Sequence, residues 1–454
     1  MATRLPQELI DKILDDLDGD PFSTISTYRS ISLANSCFTP SAQKRLLRNI
    51  KLLRRSCRQF NALLTESPHV GQYVKRLHIY SHSVSPITAE VLRRLPNLRT
   101  LKVDSDGLSS VADHLHIGLS SVRCLDLSLM QLRDLSTLLK AISLFPSLEL
   151  LRLERVGLQD NRPKEKTSGL SAGSGRDWRY LFSLSIFNQA PIDFDFVDDD
   201  PPVDRNNEDP NAQIAFEPPT EWKMPSLQAL QIRVDDNIVQ SILLNNLSGM
   251  TPAAQLGKLR ALRVTASALT SFEVIQRLLD KVPTTLEELV MFTRALPYTA
   301  RHIDMSKLTK LRSLYLQVWM KYPRSSTPTQ DEYFSWLVNM FTTMPDCVQN
   351  VYMNVIFGTQ QEDFPLNVWS NLGKIFAQQH RKTNLHVVFG DKELENYAHY
   401  FPSQTYFEKS MNVCLGSLKG QGRLQIWTAQ EFMYREKGTK NFAVFVTPEL
   451  ILSA

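Results

Sequence analysis

Apolar residues fall along this chain in a recurring six-residue pattern, L-x-x-L-x-L. Its fourth and sixth positions lie two apart, which is the period of a β-strand. In order it reads Val74/Leu77/Ile79, Leu98/Leu101/Val103, Val122/Leu125/Leu127, Leu148/Leu151/Leu153, Leu181/Leu184/Ile186 and Leu227/Leu230/Ile232. It continues as Leu259/Leu262/Val264, Leu286/Leu289/Met291, Leu311/Leu314/Leu316 and Val348/Val351/Met353, with a last partial copy at Leu385-His-Val387. Val74 to Leu98 and Leu98 to Val122 are 24 residues each, Val122 to Leu148 is 26, Leu259 to Leu286 is 27 and Leu286 to Leu311 is 25. Between the hexads lie stretches with helical spacing: Thr88–Leu95, Leu135–Leu144, Ile238–Leu247, Phe272–Leu279, Tyr333–Phe341 and Val368–Gln379. Thr270-Ser-Phe-Glu273 and Thr329-Gln-Asp-Glu332 carry the spacing of a capping box, the start of a helix. Pro96, Pro146 and Pro225 stand two residues before a hexad, and Pro283 and Pro345 three before, so each stops a helix and returns the chain to extended geometry.

A single hexad carries little weight because leucine is common. Ten in order, mostly at one spacing within 20–29 residues, are the signature of leucine-rich repeats. The expected fold is α/β, an irregular solenoid with a parallel concave sheet and outer helices. The residue eight after position one, where an Asn or Cys ladder is usual, is Asp106, Met130 or Val156, which favours an irregular arc. Strand side chains alternate, so positions three, five and seven oppose the leucines. That rule puts Tyr80, Arg152, Phe187, Arg233, Phe292, Tyr315 and Tyr352 on the concave face, beside His78, Lys102 and Asp104. Exposed aromatics and arginines on neighbouring strands suit binding of a target protein. The competing expectation is that the C-terminal tail or an acidic insertion folds over them.

The N-terminus has a different pattern. Leu9, Ile10, Ile13, Leu14 and Leu17 share one helical face, with Pro6 placed for a first turn and Glu8 at the positive end of the dipole. A small apolar segment, Ser32–Phe38, follows, and then a basic stretch, Lys44–Leu53, reads as a further helix. The opening L-P-x-E-L-I-x-x-I-L-x-x-L and the later S-L-A-N-S-C-F-T-P-S-A-Q-K-R-L-L-R-N-I resemble an F-box, especially as found in fungal F-box proteins. The resemblance covers about residues 3–50. Phe38 stands nearest to the tryptophan usual in the second half. It implies a substrate receptor of a Skp–cullin–F-box ubiquitin ligase, docking on a Skp-type adaptor and through it on a cullin. Leu5, Pro6, Leu9, Ile13, Leu14, Leu17 and Leu33 are then the adaptor-contact candidates, some of which must instead pack the box's own core. The implied organisation is an F-box over 1–52, repeats over 53–389 and a C-terminal cap over 390–454.

Composition narrows the function further. The chain has 454 residues, 43% of them hydrophobic and 22% charged, with a net charge of +4, which by itself predicts nothing definite about nucleic acid; no nucleic-acid partner is expected. Five scattered cysteines (Cys37, Cys57, Cys124, Cys347 and Cys414) without a C-x-x-C read as thiols of a reducing compartment. No run of about 18 apolar residues exists and the N-terminus does not read as a secretory signal, so a cytoplasmic or nuclear chain without a membrane segment is expected. Residues 161–177 are Gly/Ser-rich and charged, and 190–221 carry Asp193, Asp195, Asp198–Asp200, Asp204, Glu208 and Asp209 among prolines; both read as disordered insertions. Phosphate-binding glycine loops, nucleophile elbows and H-E-x-x-H are absent, and His114 and His116 lack partners at metal-ligand spacing. The basic run from Lys44 to Arg58 reads as the polar face of the last box helix. A chain with no catalytic residue, cofactor or metal is expected. The alternative is a repeat scaffold or recognition protein with no ligase role.

Overall fold

The computed structural model describes residues 7–16, 24–34, 38–80, 86–104, 119–128, 131–132, 138, 141–154, 156–158, 225–233, 255–266, 272–293, 303–320, 334–357, 366–389 and 404–428. The hexad at Leu181, both insertions, and the Ile238–Leu247 stretch lie outside them. The chain divides into two units, residues 1–148 with 158–225 and residues 149–157 with 226–454.

In the first unit the hexads become β2 (Arg76–Tyr80), β3 (Thr100–Asp104) and β4 (Cys124–Ser128), preceded by β1 (Asn49–Leu53); all run parallel in chain order. Ile50, Leu77, Leu101 and Leu125 stand in one register column and Leu52, Ile79, Val103 and Leu127 in the next. None of these eight is more than 2% exposed. The turn that feeds each strand has one design. The N–H of hexad position one donates to the carbonyl three residues back, as in Leu98 to Leu95 (3.2 Å), Val122 to Leu119 (3.2 Å) and Leu148 to Phe145 (3.1 Å). Pro96 and Pro146 occupy the second position of these turns, where their fixed φ is pre-set. The last residue before each strand then accepts two N–H groups from the following repeat. Arg48 accepts from Lys75 and Arg76 (2.9 Å each), Lys75 from Arg99 and Thr100 (2.8 and 3.0 Å), and Arg99 from Arg123 and Cys124 (2.8 and 3.0 Å). Register is thereby fixed by backbone as well as by leucines.

Three helices open this unit: α1 (Gln7–Asp16), α2 (Thr24–Ala34) and α3 (Thr39–Leu46). The single helix expected over Lys44–Leu53 is not formed. The chain leaves α3 at Leu46, turns through Leu47 and Arg48, and enters β1. Ile50 and Leu52 alternate as well as they fit a helix, and pairing with β2 decides between the two, since tertiary context overrides propensity. The first strand of the sheet thus lies within the stretch assigned to the box. After it comes α4 (Arg54–Glu66), entered through reciprocal bonds between Leu53 and Ser56. The Leu53 N–H donates to Ser56 Oγ (2.8 Å), whose hydroxyl donates back to the Leu53 carbonyl (3.0 Å). Cys57, Phe60 and Leu64 form its buried stripe, and α5 (Pro86–Arg93) packs beside it.

The second unit repeats the design with β5 (Leu150–Glu154), β6 (Ala229–Arg233), β7 (Ala261–Ala266), β8 (Glu288–Thr293), β9 (Ser313–Met320), β10 (Asn350–Phe357), β11 (Asn384–Phe389) and β12 (Leu424–Thr428), parallel and in that order. Leu151, Leu230, Leu262, Leu289, Leu314, Val351, Leu385 and Leu424 make one continuous column. Behind it lie α6 (Phe272–Lys281), α7 (Ser335–Thr342) and α8 (Leu366–Gln378), whose apolar faces bury Ile275, Leu278, Trp336, Leu337, Trp369 and Phe376. Aromatic pairs join successive layers, Phe272 with Trp336 (centroids 5.4 Å apart) and Phe341 with Phe376 (5.1 Å).

Where a period-free cap was expected, the described part of the tail adds one more repeat. α9 (Gln404–Cys414) and α10 (Gly416–Gly420) lead through Gly422, at φ +69°, into β12, which pairs with β11. The positive φ suits the glycine that ends a helix. Arg423 then binds back. Its guanidinium donates to the carbonyls of Thr383 (2.9 Å), Phe376 (3.2 Å) and His380, closing the C-terminal end of α8 with a cation as its dipole favours.

Candidate interaction surfaces

The helical start of the chain separates its apolar residues into two sets. Ile10 (2% exposed), Leu14 (0%) and Tyr28 (3%) form a small core, with Ile31, Phe38 and Leu46 packed against it. The Tyr28 hydroxyl donates to the Leu14 carbonyl (2.8 Å), and the Thr39 hydroxyl donates to the Ser32 carbonyl (2.8 Å), tying α1 to α2 and α2 to α3. Leu14 is therefore a core residue and not an adaptor contact: its side chain is closed off by the three-helix packing. Leu9 at 48% and Leu33 at 87% exposed remain open to solvent. Ile13 lies on α1, with nothing described of its side chain, and Leu5, Pro6 and Leu17 lie outside the described residues.

On the sheet face opposite the leucine columns, the first unit holds a polar cluster. His78 Nε2 and Asp104 Oδ2 are 2.6 Å apart, and Lys102 Nζ lies 3.7 Å from Asp104 Oδ1. The Ser128 hydroxyl donates to Asp126 (2.8 Å). His78 leans on the Tyr80 ring, with centroids 3.9 Å apart, and Lys51 Nζ sits 4.8 Å over that ring. Lys102, Asp104, Asp126 and Ser128 are buried, so the charges stand where pairing is required. Burial pushes the His78 imidazole below its ordinary value, against the opposing pull of Asp104. Tyr80, expected to be exposed, is about one-third open.

The same face of the second unit is aromatic. Tyr315 and Tyr352 lie in one register column and stack, with centroids 4.8 Å apart and planes 6° from parallel; Tyr352 stacks in turn on His386 (4.3 Å, 14°). Val290, Tyr315, Tyr352 and Val388 form a buried cluster, with Phe292 and Trp427 packed against it. The column assignment of these residues therefore holds while their expected exposure does not. Tyr315 is 2% and Tyr352 5% exposed, and Arg152 is 6%. Tyr315 and Tyr352 pack against Val290, Val388, Phe292 and Trp427, and at these exposures none of the three is an open target contact. Phe292 is half-buried, with the Arg263 guanidinium 4.4 Å over its ring. Burial, and then the charge of Arg152, push Arg263 down to about 9 against the favourable Glu154, which still leaves it protonated at neutral pH. Arg233 lies on β6 with nothing described of its side chain, and Phe187 lies outside the described residues.

Asp126, Ser128, Arg263, Val388 and Trp427 were not among the expected face residues. The alternation rule that found Tyr315 would have found the first three, had it been applied to the hexads at Val122 and Leu259. Among the described residues, no group of three His, Cys, Asp or Glu side chains converges as a metal ion needs. Among them too, no helix is long and apolar enough to cross a membrane.

These features define a class: a parallel α/β repeat fold with helices behind the sheet and a helical N-terminal segment. No protein-family model matches the chain, and no curated protein matches it. Among solved structures it is similar to that of a TLR13–ssRNA13 complex, at 14% identity, over 72% of this chain and 37% of that one, with a TM-score of 0.21. The chain thus spans well under half the length of that protein. The assignment of class rests on the strand register.

Proposed function

We propose that the chain is the substrate-recognition subunit of a Skp–cullin–F-box ubiquitin ligase, its N-terminal helices being an F-box and its repeats, of leucine-rich type, holding a target protein. The observation that carries the reading is the division at the N-terminus. Three short helices close a core on Ile10, Leu14 and Tyr28 and leave Leu9 and Leu33 in water, as a module that docks on a partner would. What the chain contributes is proximity. Holding adaptor and target together raises the target's effective concentration at a conjugating enzyme carried by other subunits, and this asks for no catalytic group here. The test is co-expression with a Skp-type adaptor followed by pull-down of the full chain, of Leu9→Asp/Leu33→Asp, and of Lys374→Glu at an exposed position of α8. Capture by the full chain and Lys374→Glu but not by the leucine variant, with all three equally helical by circular dichroism, supports the reading. Equal capture by all three, or by none, overturns it and leaves a repeat scaffold.

A further inference from the structure

The sheet of the second unit ends at β12 with its apolar columns partly uncovered. Ile232, Val264, Met291, Leu316, Met353 and Val387 stand in one register column and each is 0% exposed, whereas Ile426, the next member, is half-buried. In the neighbouring column Leu424 is 8% exposed, against 1% for Leu385 and 0% for Val351. The backbone is open on the same side. The Leu385 N–H donates to the Arg423 carbonyl (2.9 Å), and along a parallel strand alternate residues turn both backbone groups to one neighbour. Arg423 and Gln425 thus serve β11. Leu424 and Ile426 turn theirs outward, where no described strand pairs with β12. An edge of this kind is a template for another strand, and proteins blunt such edges with charges or proline. Leu424–Thr428 holds neither.

The chain that follows β12 lies outside the described residues, and its sequence has the pattern of one more repeat. Thr428-Ala-Gln-Glu431 carries capping-box spacing, Glu431 stands four residues before Arg435, and Gly438 falls where a helix stops. Phe442-Ala-Val-Phe-Val446 then brings β-branched and aromatic residues, and Pro448 bounds the run. Val444 and Val446 each follow Leu424 and Ile426 by 20 residues, within the period of about 20–29 of leucine-rich repeats. The 13 residues from 429 to 441 meet the dozen or so that a parallel crossover needs. We propose that Phe442–Val446 docks on the open edge of β12 as a further parallel strand, with Val444 and Val446 continuing the columns of Leu424 and Ile426. The chain's own segment then fills the edge that would otherwise add a strand from a second copy or a partner. The inference stands apart from the adaptor and uses none of the residues proposed to meet it.

The test is hydrogen exchange of the full chain, read at the Leu424 and Ile426 amides, at two protein concentrations about tenfold apart. Val444→Pro removes a ladder donor from the docked strand, Val444→Ser/Val446→Ser weakens its packing without a proline, and Ser453→Pro is the control beyond it. The expected result is that both amides exchange about tenfold or more slowly than in an unstructured peptide, equally at both concentrations. Val444→Pro and the serine variant speed them by about tenfold while β9 and β10 stay protected, and Ser453→Pro changes nothing. The serine variant keeps the comparison valid if Val444→Pro also exposes β9 and β10. Unprotected rates in the unaltered chain, protection that neither variant reduces, or protection that grows with concentration, the mark of a second copy on the edge, overturns the proposal.

Discussion

Truncating Tyr352 removes a ring from the middle of a stack. The side chain is 5% exposed, lies between Tyr315 and His386 at 4.8 and 4.3 Å, and belongs to the cluster of Val290, Tyr315 and Val388. Large aromatic-to-alanine changes in a core cost about 3–5 kcal/mol. The column sits at a sheet face with half-buried Phe292 and Trp427 alongside, so the lower end, about 3 kcal/mol, is expected for Tyr352→Ala. Each stacked pair adds about 0.5–1.5 kcal/mol beyond its area. A double-mutant cycle of Tyr315→Ala with Tyr352→Ala therefore returns a coupling of that size. Tyr352→Phe keeps the ring and costs less than about 1.5 kcal/mol. The assay is urea unfolding followed by tryptophan fluorescence, to which Trp427, packed on the cluster, reports directly. A Tyr352→Ala cost within about 0.5 kcal/mol of zero, the range of surface changes, would refute the burial and restore this column as an open binding face.

Other expectations follow from single residues. His78 favours its neutral form more in the folded protein than unfolded, because burial lowers it, while Asp104, Lys102 and Asp126 face it with opposed effects. The unfolded chain thus binds more protons below the ordinary value of 6.5, and stability falls as pH drops through and below it, by at most about 1.4 kcal/mol per pH unit from this group. His78→Gln flattens that slope in denaturation series between pH 7.5 and 5.5, and an unchanged slope would contradict the assignment. Gly373 lies on α8 where a Cβ would strike the Cys414 carbonyl at the end of α9, so Gly373→Ala costs about 1–3 kcal/mol although alanine favours helix; a gain in melting temperature would refute that close approach. Cys57 is buried and its thiol is pushed up by that burial despite Thr88, so a thiol reagent modifies it in denaturant and not in the native protein, which peptide mapping checks.

The repeat was legible because its signal is redundant. The leucines at 77, 101 and 125 predicted a column, and the register places them side by side. What was not legible turned on non-local pairing. Leu46, Leu47, Ile50 and Leu53 fit a helix, but Ile50 and Leu52 also alternate, and β2 supplies the partner that makes them a strand. In the tail, Leu424 and Ile426 are too short an alternation to stand out until β11 offers them an edge. The face residues divide in the same way. Alternation along a strand placed Tyr315 and Tyr352 in one column, yet exposure depends on what packs around them, here Val290 and His386 in the same column and Val388 in the next, and a single hexad holds no information on that. Likewise, helical periodicity put Leu9, Ile13 and Leu14 on one face, and only the position of Tyr28 on α2 separates the buried Leu14 from the open Leu9.

The most direct test of the central claim is hydrogen exchange of the full chain with and without a Skp-type adaptor. The account predicts added protection of the backbone amides of α1 and α2, around Leu9 and Leu33, with the repeats of the second unit unchanged. Exchange at α1 and α2 that the adaptor leaves untouched, under conditions where it binds a known F-box protein, would contradict it.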